Sequence, residues 1–143
     1  MKLMLTACIG ALMTNASAAT ITIACPEKFP REQISFTGTP AGWTPYTRSS
    51  LEVTTAEMLS GPPSSYTYLV PFKYTEGKRR DVAMWGFAPG AETEKWLQCG
   101  YGAASEVSIS RPLPAATSEC TVTRTKDANS NVTKVVAVCK LEP

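Results

Sequence analysis

The sequence contains no histidine. That absence excludes Ser-His-Asp and Cys-His catalysis, and it removes the commonest metal ligand and the usual switch near neutral pH. No C-x-x-C pair is present either, so a structural zinc site has nothing to build on, and no cofactor is expected. A long apolar run is also missing. The most apolar stretch, Leu3 to Met13, falls well short of the roughly 20 residues that a membrane-crossing helix needs. Excess charge of one sign is lacking as well, with 14 basic against 12 acidic residues. A balance so close to neutral argues against nucleic acid or an anionic membrane surface as the main partner. There is no internal repeat, low-complexity run or linker.

An active site would therefore have to use carboxylates, a Ser-Lys pair or a tyrosine. The acidic residues are scattered, and the closest pair, Glu92 and Glu94, flanks a turn. Ser64-Ser65 has no Ser-x-x-Lys companion and reads as a solvated turn beside Pro62-Pro63. The chain is read as a binding protein and not as an enzyme.

What is present begins with a leader. Met1-Lys2, the apolar run and Ala16-Ser17-Ala18-Ala19 are the three parts of a bacterial secretory signal, with cleavage after Ala18 or Ala19. Residues 1–19 are expected to be removed, leaving 20–143 as a single exported domain in the periplasm. Leu5-Thr6-Ala7-Cys8 imitates a lipoprotein box, but too little apolar sequence precedes it, unless the true start lies upstream and Cys8 is lipidated.

Four cysteines follow the leader: Cys25, Cys99, Cys120 and Cys139. An even number in an exported domain reads as a disulfide framework. Two strand-like runs flank the polar cluster Asp127-Ala128-Asn129-Ser130-Asn131. If Asn129 and Ser130 centre that turn, Cys120 and Cys139 fall directly opposite each other, close enough to bridge. Cys25 then pairs with Cys99 by elimination. The same register collects Cys120, Val122, Val135, Ala137, Cys139 and Leu141 on one face, leaving Thr121, Thr123 and Thr125 on the other.

The rest of the chain is mostly β in pattern. Ala19 to Cys25 alternates and stops at Pro26; Ile34 to Thr37 could add a short strand in an otherwise Pro- and Gly-rich loop. Leu51 to Leu59 favours a strand over a short helix. Tyr66 to Tyr74 has β composition, interrupted by Pro71. From Asp81 onward five strand candidates (81–88, 94–101, 106–111, 119–126 and 132–140) follow one another through short turns. The expected fold is an antiparallel sandwich or partly open barrel with these five as a C-terminal meander.

Two loops could bind a partner. Gly77-Lys78-Arg79-Arg80 is the only charge run and sits between two strand candidates. Lys78, Arg79 and Arg80 could enter an acidic cleft of another protein, although a solubilising tip would look the same. Trp43, between Gly42 and Thr44-Pro45, and nearby Tyr46 offer aromatic anchors in a loop. Trp85, Phe87, Trp96 and Tyr101 are core candidates.

Ala24-Cys25-Pro26, the run from Val82 to Gly90, Trp96-Leu97-Gln98-Cys99-Gly100-Tyr101, and Arg111-Pro112-Leu113-Pro114 with Cys120 together resemble a family of small proteobacterial exported proteins associated with type VI secretion loci. The resemblance spans most of the chain from Cys25 to Cys139. It implies a periplasmic immunity protein that binds and blocks a toxin, a peptidoglycan-targeting effector of the L,D-transpeptidase-like kind. It transfers no site residue. An adhesive or structural envelope domain, and a peptidoglycan-acting enzyme, are the competing functions.

Overall fold

The computed structural model describes residues 18–88 and 93–142. The expected leader, with Cys8, falls outside the described residues up to position 17, as does the Pro89-Gly90 turn. Among the described residues nine strands form: β1 (Ala19–Ala24), β2 (Lys28–Phe29), β3 (Leu51–Ser60), β4 (Lys73–Thr75), β5 (Arg80–Gly86), β6 (Lys95–Tyr101), β7 (Val107–Pro112), β8 (Thr117–Lys126) and β9 (Val132–Leu141). They make two antiparallel sheets, ordered β1-β9-β8-β5-β4 and β2-β3-β6-β7. The sheets do not close into a barrel.

The hairpin between β8 and β9 takes the register expected from its turn. Cys120 pairs with Cys139, Val122 with Ala137 and Thr123 with Val136. The turn is set by Asp127, whose carboxylate accepts from the backbone N–H groups of Asn129 (2.8 Å) and Asn131 (2.9 Å), while Ser130 takes φ 68°. Cys120, Val122, Val135, Ala137 and Cys139 are buried on one face. Both disulfides form as paired from the sequence. Cys120–Cys139 has a Cα separation of 4.1 Å, and Cys25–Cys99, at 5.9 Å, joins the end of β1 to β6 and so ties one sheet to the other.

The single meander does not form. All five C-terminal strands are present, and β6–β7 and β8–β9 are hairpins, but the chain crosses between sheets after β5 and again after β7. The reason lies in burial. β3 carries Val53, Ala56 and Met58 into the core and takes β6, with Leu97, Cys99 and Tyr101, as its neighbour. β5 is taken by β8 and β4. At the second crossing Pro112 and Pro114 cannot donate to a ladder, and buried Leu113 plugs the gap, donating its N–H to Lys95 O at 2.8 Å. Two inner faces then share one core, in which each fully buried Leu, Met or Val contributes on the order of 1.5–3 kcal/mol.

Two further expectations change. Ile34 to Thr37 forms no strand; β2 lies earlier, followed by a 3-10 turn at Arg31–Gln33. In the 66–74 run only Lys73 and Tyr74 join a ladder, with a lone bridge from Tyr68 to Leu59. Leu51 to Leu59 is strand, as its β-branched composition indicates.

Candidate functional site

The basic run caps the β4–β5 hairpin at one end of the five-stranded sheet. Lys78, Arg79 and Arg80 are exposed, and among the described residues none of the three takes part in a salt bridge. The base of this tip is held firmly. Asp81, 3% exposed, lies 2.7 Å from Lys126 Nζ and 3.1 Å from the Arg124 guanidinium, and accepts the Gly77 N–H at 3.2 Å. Lys126 also donates its backbone N–H to Arg79 O at 2.8 Å. Burial pushes the Asp81 carboxyl up, but the Lys126 and Gly77 hydrogen bonds and the Arg124 charge outweigh it and hold the group below its ordinary range. Asp127, in the neighbouring turn, is lowered by hydrogen bonds from Asn131, with a smaller pull from the Arg79 charge. Gly77 has no room for a side chain, because a Cβ there would meet Arg80 O at 2.7 Å. The cations near the sheet are thus paired, and those at the tip are offered to solvent on a fixed frame.

Trp43 and Tyr46 occupy the long connection before β3, where they are 76% and 75% exposed. Arg31 pins part of that connection, its N–H donating to Ser50 Oγ at 3.3 Å and its guanidinium to Arg48 O at 3.4 Å. No hydrogen bond or ion pair among the described residues joins this loop to the basic tip, so the two candidates stand as separate features.

The sequence reading missed a third feature. Tyr66, Tyr68, Val70, Phe72 and Tyr74 occupy every second position, and all are exposed, Val70 to 87%. This stripe leads into β4, the edge strand of its sheet. Strict period-two alternation was the available signal, and Pro71 masked it. Tyr74 meets the tip's support directly. Its hydroxyl accepts from Arg124 at 2.6 Å, and the guanidinium lies 5.7 Å from the ring centroid.

Trp85 and Tyr101 are buried, so they serve packing. The Trp85 indole donates to Leu69 O at 2.8 Å. Trp96 faces away from Leu97 and Cys99, half-buried, and donates to Glu94 at 3.0 Å. Among the described residues no group of acidic or cysteine side chains is arranged to hold a metal ion, and no helix is long and apolar enough to cross a membrane.

The model of the type VI secretion system Tli immunity protein family matches residues 47–140, well over half of the chain, and the chain belongs to that family. The matched segment contains the basic tip and the aromatic stripe, and it begins after Trp43 and Tyr46. No curated protein and no solved structure matches the chain.

Proposed function

We propose that this Tli-family immunity protein is exported, loses residues 1–19 and protects the periplasm by binding a cognate toxin enzyme and occluding its active site. Membership of an immunity family supports a toxin as the partner. Two disulfides suit an oxidising compartment, and the leader pattern of Met1 to Ala19 supports export. The observation that carries the mode of binding is the basic tip, whose three cations form no salt bridge among the described residues and stand on a hairpin clamped by Asp81. Rigid presentation lowers the ordering cost of association, and arginine gives bidentate contacts to carboxylates. Lys78, Arg79 and Arg80 enter an acidic substrate groove; Trp43 and Tyr46 are the secondary candidates.

The family resemblance supports a peptidoglycan-targeting toxin as the target. The test is co-expression of the exported toxin with this chain. Survival that depends on export of the chain, together with loss of the toxin's action on peptidoglycan in a purified mixture, fits the proposal. A bound toxin that cleaves another envelope substrate, such as phospholipid, would leave immunity standing and remove the peptidoglycan assignment. Death of the cells despite abundant exported protein would remove the proposal altogether.

A further inference from the structure

Beside the tip a cleft of about 190 Å³ opens between β3 and the inner face of the β5–β8 pair. Its floor is apolar, formed by Ala83, Trp85 and Val122, with Leu69 and Pro71 along one wall. The small side chain of Ala83, opposite Val122 and Tyr74 in the ladder, is what leaves the space. Thr55, Glu57, Tyr68, Tyr74 and Arg124 supply the polar part of its lining. Arg124 is held by Asp81, which it shares with Lys126, and by the Tyr74 hydroxyl, and Tyr68 accepts from Gln98 at 3.0 Å. Ala56, Leu69, Pro71, Ala83, Trp85 and Val122 suit an apolar guest, and the Glu57 carboxylate disfavours an anion. For scale, an engineered apolar cavity of about 150 Å³ admits benzene.

Asp81 joins this cleft to the tip, since one carboxylate holds both Arg124 at the mouth and Lys126 with Gly77 beneath the tip. The exposed side chains of Phe72 and Tyr74 lie on the same hairpin. We infer that the cleft is the socket for a large apolar side chain of the toxin, carried on the acidic segment that meets Lys78, Arg79 and Arg80. This deepens the proposed function and rests on it. A buried apolar anchor ringed by polar groups, flanked by complementary charge, is the arrangement in which interface energy concentrates. The anchor supplies duration of binding, and the cations supply encounter rate and register.

The test uses the mature chain and its purified cognate toxin. Ala83→Leu fills the socket from its floor, and the folded variant should bind the toxin at least tenfold more weakly while Lys78, Arg79 and Arg80 remain intact. A photoreactive benzoylphenylalanine at Tyr68, which lines the cleft and is 46% exposed, should cross-link to the toxin, whereas one at Val138, exposed on the outer face of β9, should not. The cross-linking arm decides the matter if Ala83→Leu does not fold. Unchanged affinity of folded Ala83→Leu, or cross-linking from the same probe at Arg79 without any from Tyr68, would overturn the socket and leave the tip. Absence of a complex with the unaltered chain would remove the proposed function, and the socket with it.

Discussion

Asp81 on β5 lies 2.7 Å from the ammonium of Lys126 on β8, and this buried pair fixes the base of the basic tip. Removing one partner of such a pair strands the other charge, at a cost of about 3–5 kcal/mol in a dry interior. Lys126 and Arg124 retain some contact with water, which favours the lower end. Asp81→Ala is expected to destabilise by about 3 kcal/mol, measured by urea unfolding. A loss below about 0.5 kcal/mol, typical of an exposed site, would show that the pair does not support the tip.

Acid should expose the same pair. The folded carboxyl of Asp81 titrates below its unfolded value, so its contribution is full above about pH 4 and is lost as pH falls through the lower folded value. Asp127 and Glu32 are shifted in the same direction. The urea midpoint should stay level from neutrality to about pH 5 and drop below about pH 4, with a shallower drop in Asp81→Asn. An equally steep drop in the variant would assign acid lability elsewhere.

The mature chain should contain no free thiol when unfolded without reduction. Replacing Cys120 and Cys139 together by alanine should cost about 2–4 kcal/mol, given the 19-residue separation they close. Loss of Cys25–Cys99, with a separation of 74, should cost more and loosen one sheet from the other. Peptide mapping of the unreduced chain checks the pairing directly.

Gly77→Ala should move the tip without touching a cation, because the new Cβ cannot stay 2.7 Å from Arg80 O. Toxin affinity should fall, and the Gly77 amide resonance, tied to Asp81, should shift markedly in NMR spectra. An unshifted amide would mean that the hairpin absorbs the methyl group elsewhere.

Strands and one register were legible in the sequence because they are local properties. The turn at Asp127 to Asn131 and the alternation of Cys120, Val122, Val135 and Cys139 fixed the last hairpin before any tertiary contact was considered. Choice of neighbour is not local. Asp81 to Gly86 and Lys95 to Tyr101 read as consecutive strands, and only the buried face of β3, contributed from forty residues upstream, sends β6 to the other sheet. The site divides in the same way. The three cations could be named from their run, whereas their clamp needed Asp81, Arg124 and Lys126 brought together by pairing of β5 with β8. The stripe from Tyr66 to Tyr74 was written in alternate positions, but alternation reports a two-sided strand and not which side is left uncovered.

The central claim is that a rigid cationic tip holds the toxin, and calorimetric titration of the toxin with the mature chain and with Arg79→Ala/Arg80→Ala tests it most directly. The double variant should melt as the unaltered chain does, within about 0.5 kcal/mol for each exposed substitution. The unaltered chain should bind with one-to-one stoichiometry and stop turnover, and the variant should bind about 1–2 kcal/mol more weakly, roughly tenfold or more. Equal affinity of the two proteins would take the tip out of the interface and move the claim to Trp43.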